Sequence, residues 1–466
     1  MARKKNLLYA LILASVVFLL IQVWSTQLFG NQQQPLAYHQ TDFKLGESIK
    51  ELVQSCRETL QVECMLVDEE LLISYVLHQT ALVVDSKSGA FGGGAKFESS
   101  CGVFCGHDAA AFFVDGDSMT LTKINIFKES LISRGFTIHR DERGDDRELS
   151  VEKRTSKHQL VYNLFINRGE TFLLVSFAYS RYGRWWSNGC NYALVPPSAL
   201  NDKWRVYLNK SLFCTHQRLI NNSKNQIANI DGIKVSIPID IPDFIEYVRS
   251  AIYTPCVLKN ARNFYSEYGL RRDAESEVFR AKAKQLLSLA IRVLGELSVP
   301  FWLSSGTCLG WYRQCGFIPH SKDVDIGIWI KHYKPQMVQT FLNRGLKLKH
   351  QFGKVEDSFE LSFTLMDLKL DIFFFYEDES SMWNGGTQAR TGKKFKYTFP
   401  KFSLCWTHMS GLTVRVPCPA LPYVQANYGT NWNVLVKHWD WKASPPNVRE
   451  NGEWPVLERK QVIQVF

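Results

Sequence analysis

The most apolar part of the chain is its beginning, where residues 7–24 form an almost unbroken hydrophobic run. At about 1.5 Å per residue, a helix of this length can cross ~27–30 Å of hydrocarbon. Three basic residues at positions 3–5 precede the run, and no charged residue interrupts it. Because basic flanks stay on the cytosolic side, we predict a cytosolic tail at residues 1–6 and a transmembrane signal anchor at residues 7–27. A cleaved signal peptide is the alternative, although its apolar region is usually shorter.

A polar stem linker follows at residues 28–45, and the apolar pattern is then mixed up to residue 270. Four apolar runs in this part have the length of strands or short helices: 71–77, 81–85, 171–177 and 233–237. Residues 86–94 are rich in Gly and Ser, which predicts a loop. The pattern predicts an N-terminal luminal α/β domain at residues 46–270, in which no group of residues suggests catalysis.

Helical spacing of apolar residues is clear in the second half of the chain, at residues 277–297. It predicts an amphipathic helix that packs on a core and ends before Pro300. Residues 301–303 then predict a short strand that leads into a glycine turn at residues 305–307. We assign residues 271–466 to a C-terminal α/β catalytic domain.

Two segments of this half combine an apolar face with carboxylates on the other face. Residues 321–330 alternate as a strand, with Asp323 and Asp325 on the polar face. Residues 367–375 alternate in the same way, and their polar face carries Asp367, Lys369 and Asp371. If the two strands are neighbours, Asp371 meets the Asp323–Asp325 pair.

Three converging carboxylates behind a glycine turn suit a metal-dependent transfer of a phosphorylated group, because the metal neutralises charge on phosphate oxygens. Backbone N–H groups at Gly306 and Thr307 would approach phosphate closely, and Arg313 would pair with it. Lys393 and Lys394 add positive charge downstream. Two alternatives stay open: a nucleotide-sugar glycosyltransferase, which also uses Asp-x-Asp, and a non-catalytic scaffold of a glycosylation complex.

Composition adds few constraints. A net charge of +10 fits a polyanionic substrate or an acidic membrane surface, and no nucleic-acid-binding pattern is present. In an oxidising lumen, three neighbouring cysteine pairs could form disulfides: Cys56/Cys64, Cys101/Cys105 and Cys308/Cys315. Asn209 and Asn221 begin glycosylation sequons.

Three tryptophans could stack on a base or sugar or simply pack in the core: Trp406, Trp439 and Trp441. Three acidic residues are interpreted as surface positions, one of which could contact substrate: Glu356, Asp357 and Glu360.

The order of these motifs resembles the LicD-type nucleotidyltransferase-fold domain. The matching residues are Gly306-Thr307, Gly310, Arg313, Ile318-Pro319, Asp323-x-Asp325, Asp371 and Tyr428-Gly429-x-x-Trp432. Four longer segments resemble the fukutin family: residues 300–322, 352–362, 382–396 and 439–448. The resemblance extends over essentially the whole chain and is weaker before about residue 275.

The resemblance implies a type II Golgi membrane enzyme. Such an enzyme would transfer ribitol 5-phosphate from CDP-ribitol to the GalNAc of the phosphorylated core M3 O-mannosyl glycan of α-dystroglycan, releasing CMP. Fukutin-related protein and the O-mannose N-acetylglucosaminyltransferase would be its partners in the Golgi. The lipid bilayer would hold the N-terminal helix, no nucleic acid is expected, and a homo-oligomer is left open.

The resemblance also assigns roles to residues. Asp323 and Asp325 would bind Mg²⁺, with Mn²⁺ as the alternative, and the ion would hold the donor diphosphate. Asp371 would complete the acidic site and act as the base for the acceptor hydroxyl. Donor contacts would come from five residues: Gly306, Thr307, Arg313, Lys393 and Lys394. No cysteine-rich zinc insert is found, so no zinc is expected.

Overall fold

The computed structural model describes residues 44–87, 102–196, 200–221, 224–270, 273–319, 321–436 and 438–466. The predicted tail and anchor, and nearly all of the stem linker, lie outside these ranges, as does most of the predicted loop at residues 86–94. In the described part of the chain, no helix is both long and apolar enough to cross a membrane. The described protein is a mixed α/β structure with two hydrophobic cores.

The first core lies around a mixed nine-stranded sheet. Its strands are β1 (Met65–Leu66), β2 (Ala109–Asp115), β3 (Thr137–Gly144), β4 (Gln159–Arg168), β5 (Thr171–Arg181), β6 (Arg184–Ser187), β7 (Arg218–Ile220), β8 (Asn225–Ile230) and β9 (Ile233–Pro238). The main path runs β3-β4-β5-β2-β1-β9-β8, with β6 and β7 extending from β5. Strands β2 and β5 pair in parallel at its centre, and both are almost continuously apolar because both of their faces are buried.

Helices surround this sheet. They are α1 (Lys44–Ser55), which continues as a π-helical turn (Cys56–Leu60), α2 (Glu69–Lys87), α3 (Leu121–Ile132), α4 (Asp202–Lys210), α5 (Leu212–Thr215) and α6 (Ile241–Ser250). The predicted elements at residues 171–177 and 233–237 are strands β5 and β9, whereas those at 71–77 and 81–85 both belong to α2. The sequon residue Asn209 is exposed in the last turn of α4, and Asn221 is exposed after β7.

A second nine-stranded sheet forms the C-terminal half. Its strands are β10 (Trp302–Leu303), β11 (Asp323–Trp329), β12 (Lys347–Lys354), β13 (Asp357–Leu365), β14 (Leu368–Glu377), β15 (Ser381–Thr387), β16 (Lys393–Pro400), β19 (Val448–Glu453) and β20 (Ile463–Val465). The main path is β19-β16-β15-β14-β13-β12-β20. Strand β11 pairs in parallel with β14 and antiparallel with β10, and a separate hairpin consists of β17 (Ser403–Met409) and β18 (Leu412–Cys418).

The helices of this half are α7 (Leu258–Tyr268), α8 (Ala274–Glu296), α9 (Ser305–Gln314), α10 (Met337–Asn343), α11 (Ala420–Tyr428) and α12 (Arg459–Val462). Helix α8 is the helix predicted at residues 277–297, and its apolar stripe is buried. It begins three residues earlier than predicted because Asp273 caps its first turn by accepting from the Ser276 N–H.

The predicted neighbouring strands are confirmed by the pairing of β11 with β14. Asp325 lies directly opposite Asp371, so both side chains point to one face of the sheet. The prediction was wrong for Asp367, which precedes β14 in a tight turn with a φ of 64° and does not lie on the strand.

Four disulfides join cysteines of the described residues, and the longest spans 59 residues. The predicted Cys56–Cys64 bond is present, and three others pair Cys190–Cys214, Cys256–Cys315 and Cys405–Cys418. The predicted Cys308/Cys315 pair was wrong. These residues are seven apart along α9 and its cap, about 10 Å along a helix axis, which exceeds the reach of a disulfide. Cys308 is a buried free thiol, and the Cys101/Cys105 pairing involves a residue outside the described ranges.

The two halves meet at the β17–β18 hairpin. The Trp406 N–H donates to the Ile252 carbonyl over 2.8 Å, and the Thr254 N–H donates to the Trp406 carbonyl over 2.9 Å. The guanidinium groups of Arg184 and Arg415 lie 4.7 and 4.1 Å from the Trp406 ring centroid. Trp406 therefore joins the two cores and is not available to a substrate.

Candidate active site

Three carboxylates converge on the face shared by β11 and β14. One oxygen from each of Asp323, Asp325 and Asp371 can be chosen so that all three lie within 4.8 Å of one another. The i, i+2 spacing on β11 supplies two of them, and the register with β14 supplies the third. Asp325 and Asp371 are buried, and Asp323 is partly exposed. An all-oxygen donor set open on one side suits Mg²⁺, which keeps positions for water and phosphate.

The negative charges of the three carboxylates repel one another. Burial, and then the negative charges of Asp323 and Asp371, hold the pKa of the Asp325 carboxyl well above its usual value. The Lys369 ammonium lies 2.7 Å from Asp371 Oδ2 and 3.4 Å from Asp323 Oδ2. Burial opposes its charge, but attraction to these carboxylates outweighs burial, so the pKa of Lys369 lies above its usual value. The site has an excess of negative charge that a divalent cation would balance.

Neighbouring groups fix the orientation of each carboxylate. The Gly306 N–H donates to Asp325 Oδ2 over 3.0 Å. The Ser362 hydroxyl, on β13, donates to Asp371 Oδ1. The Ser321 hydroxyl donates to Asp323 Oδ1. Such outer contacts hold metal ligands in their binding orientation before the ion arrives.

The predicted glycine turn is the first turn of helix α9. Ser305 and Gly306 line the cavity above the carboxylates, where the positive end of the helix dipole favours an anion. A Cβ at Gly306 would come within 3.3 Å of Asp325 Oδ2, so glycine keeps the helix close to the site. Thr307 is buried, and its hydroxyl accepts from the Asp325 N–H over 2.8 Å. It positions β11 against α9 and does not line the cavity.

Arg313 lies two turns after Gly306 on the same face of α9 and also lines the cavity. It is buried, its guanidinium stacks 4.3 Å from the Phe264 ring centroid, and its Nη2 donates to Gln314 Oε1 over 3.0 Å. Burial lowers the pKa of the guanidinium to about 10. Its Nε is buried with no hydrogen-bond partner among the described residues. An arginine held in this way is suited to an anionic ligand.

The lysines predicted as donor contacts lie away from this cavity. Lys393 Nζ pairs with Glu450 over 2.9 Å on the exposed surface of β16. Lys394 Nζ pairs with Asp357 over 2.7 Å and lies 4.5 Å from the Trp454 ring centroid. Neither lysine lines the cavity.

The cavity has a volume of about 500 Å³, within the usual range for sites that enclose a small-molecule ligand. Aromatic residues form its walls, among them Tyr397, Tyr428, Trp439 and Trp441. Trp439 and Trp441 are 42% and 40% exposed, so their rings are available for stacking on a base or a sugar. Burial, and then the nearby Asp325, raise the pKa of Tyr428 well above its usual value, so its hydroxyl remains a donor.

Sequence reasoning missed several residues of this cavity. Glu360 was interpreted as a surface residue, but its side chain is 13% exposed and lines the cavity beside His350. Ser362 was not noticed because its role depends on the pairing of β13 with β14, which places it opposite Asp371. Lys369 was placed on the correct face by its alternation with Asp371, but its ion pairs depend on the β11–β14 register.

Comparison with known families agrees with this architecture. The family described as LicD/FKTN/FKRP, nucleotidyltransferase domain, matches residues 298–419, which include the three carboxylates. The family described as Fukutin N-terminal matches residues 1–284, more than half of the chain. The chain belongs to the fukutin family.

Two relatives are named as transferases. The chain is 52% identical over 266 residues to the ribitol-5-phosphate transferase FKTN of Mus musculus, and 52% identical over the same length to that of Homo sapiens. These matches cover 57% of this chain and 58% of each relative. An uncharacterized protein of Caenorhabditis elegans is 29% identical over 245 residues.

Proposed function

We propose that this fukutin-family chain transfers ribitol 5-phosphate from CDP-ribitol to the GalNAc of the phosphorylated core M3 O-mannosyl glycan of α-dystroglycan, releasing CMP. The observation that carries the proposal is the convergence of Asp323, Asp325 and Asp371 beneath a cavity that also contains Arg313. The printed name of the mouse and human relatives supports the choice of ribitol 5-phosphate.

The three carboxylates would hold Mg²⁺, with Mn²⁺ as the alternative. When bound, the ion supplies positive charge to the donor diphosphate. Arg313 binds a phosphate oxygen from the α9 side of the cavity, and the N-terminal turn of α9 adds its dipole there. Lys369, which lies beside Asp371 and Asp323, would offer its ammonium to a phosphate oxygen of the donor.

The walls of the cavity carry groups that would contact the donor and the acceptor. Trp439 and Trp441 offer flat surfaces for cytosine or for a sugar ring, and Asn384 and Thr387 offer polar groups on the β15 side. In this proposal residues 271–466 are the catalytic domain, and residues 46–270 form the N-terminal luminal domain. Residues 7–27 would anchor the chain as a type II protein in the Golgi membrane. Fukutin-related protein and the O-mannose N-acetylglucosaminyltransferase would be its partners.

The test uses the full-length chain in detergent with CDP-ribitol, Mg²⁺ and a phosphorylated core M3 glycopeptide. CMP release and acceptor mass are measured with and without a chelator. A chelator-sensitive gain of one ribitol phosphate is expected. Asp323→Asn should abolish the gain, whereas Asp378→Asn, an exposed carboxylate paired with Lys396, should leave it intact. Transfer of a sugar with release of a nucleoside diphosphate would instead support a glycosyltransferase, and binding of acceptor without any transfer would support a scaffold.

A further inference from the structure

A single row of polar side chains crosses the catalytic face of the sheet. Asp325 on β11 pairs with Asp371 on β14, Asp371 pairs with Ser362 on β13, and Ser362 pairs with His350 on β12. Residues that pair directly across neighbouring strands point to the same face. Since strands lie about 4.8 Å apart, the backbone of His350 is roughly 10 Å from that of Asp371.

The small side chain between them leaves space above the sheet. Ser362 is fully buried in the floor, while Asp371 and His350 both line the cavity on either side of it. A gap of this width accommodates a phosphoryl group next to the acidic cluster and a hydroxyl group next to the imidazole. His350 is therefore placed at the far side of the reacting position from the metal ligands.

His350 is held by two neighbours. Its Nε2 lies 3.2 Å from Glu360 Oε1, and the two side chains are 15% and 13% exposed. Its ring stacks on Phe352 with centroids 4.1 Å apart. Because Nε2–H donates to Glu360, the other ring nitrogen, Nδ1, keeps its lone pair for a proton. A carboxylate behind an imidazole fixes its tautomer and stabilises the imidazolium once it forms.

We propose that His350, positioned by Glu360, is the general base that accepts the proton of the acceptor hydroxyl. This inference rests on the proposed transferase function and deepens it. It replaces the role first given to Asp371, whose oxygens are engaged by Ser362 and Lys369 and face the cation site. Asp371 is therefore assigned to the cation site and not to the acceptor hydroxyl.

The step balances as an in-line displacement. The acceptor oxygen forms a bond to the phosphorus of ribitol 5-phosphate, while the bond from that phosphorus to the bridging oxygen of CMP breaks. The electron pair of the broken bond leaves with CMP. The acceptor proton passes to Nδ1 of His350, and the imidazolium pairs with Glu360 until it releases the proton to solvent.

The experiment compares five full-length proteins: wild type, His350→Gln, His350→Ala, Glu360→Gln and, as a matched control outside the cavity, His332→Gln. Affinity for CDP-ribitol in Mg²⁺, kcat and KM for the acceptor are measured for each. A positioned general base contributes about 10²- to 10⁴-fold to the rate. We expect kcat to fall by that factor in both His350 variants, with donor affinity unchanged, and to be unaffected in the control. Glu360→Gln should lower kcat by a smaller factor.

Chemical rescue separates a base from a merely structural histidine. Free imidazole should restore part of the His350→Ala rate, and substituted imidazoles of similar size should rescue more strongly as they become more basic. Rescue that is independent of basicity, full activity in His350→Gln, or loss of donor binding in both variants would overturn the base assignment alone. Absence of transfer by the wild-type chain would overturn the transferase proposal and this inference with it.

Discussion

Replacing Asp325 with asparagine should make the metal-free protein more stable while removing its activity. The ligand atoms of the three carboxylates lie within 4.8 Å of one another, and at an effective dielectric constant of about 20 each such pair repels by about 3.5 kcal/mol. Lys369 offsets part of this repulsion, and protonation of Asp325 relieves more. We therefore expect a net gain of about 1–3 kcal/mol, or roughly 3–10 °C in Tm for a domain of this size. The asparagine oxygen can still accept from the Gly306 N–H.

Adding metal should reverse the order of stability. Wild type gains about 2.7 kcal/mol when Mg²⁺ is at a hundred times its Kd, and the variant gains little because its site has lost a ligand. The pH dependence follows from the raised pKa of Asp325. The folded state keeps its proton to higher pH than the unfolded state, so metal-free wild type loses stability as pH rises above about 4. The variant should lack that slope.

Thermal unfolding with chelator and with increasing Mg²⁺ measures both effects, and CMP release measures activity. Asp378→Asn is the matched control, since it removes an exposed carboxylate of the same domain. If Asp325→Asn were less stable than wild type in chelator, repulsion among the three carboxylates would not govern the stability of the metal-free protein. If Mg²⁺ stabilised both proteins equally, the acidic cluster would not be a metal site.

Three further substitutions test other parts of the structure. Arg313→Met should weaken CDP-ribitol binding by about 1.5–3 kcal/mol with little change in Tm. The reason is that the buried guanidinium has no carboxylate partner in the fold and is left to bind the donor. A calorimetric affinity equal to that of wild type would contradict this. Burial, and then Arg181, lower the pKa of His408 to about 4. The free energy of unfolding should therefore fall by about 1–2 kcal/mol as pH drops from 6.5 to 4. Unfolding scans of His408→Gln should lack this loss. Cys315→Ser opens the Cys256–Cys315 bond, which spans 59 residues. The free energy of unfolding in denaturant should fall by about 4 kcal/mol. An unchanged denaturation midpoint would refute a constraining role for this disulfide.

The acidic cluster was predictable because it depends on local alternation. Asp323 and Asp325 share a face in any strand, and Asp371 joins them once two apolar strands are assumed to be neighbours. Helix α8 was predictable for a similar reason, because its apolar residues recur at the spacing that places them on one face of a helix. The Asp323–Asp325 pair and helix α8 depend on positions a few residues apart, and Asp371 required one further assumption about strand pairing.

The rest of the site depends on pairings that no local pattern specifies. His350 and Glu360 meet because β12 pairs with β13 in a register that includes a bulge. Lys393 and Lys394 form a basic cluster in sequence, but β16 turns them toward carboxylates outside the cavity. Cys315 bonds to Cys256 because helix α9 separates it from the nearer Cys308.

In the proposed metal site, the parallel pairing of β11 with β14 would also make metal affinity a reporter of correct folding. The hairpin of β12 and β13 lies between these strands in sequence, so the third ligand arrives only after a long loop has closed. A slip of one residue would turn Asp371 to the opposite face of the sheet and leave a two-carboxylate site of low affinity. Engineered substitutions far from the cavity can then be sorted by Mg²⁺ titration. Those that preserve Mg²⁺ affinity have preserved the strand register, and those that lose it have changed the sheet itself.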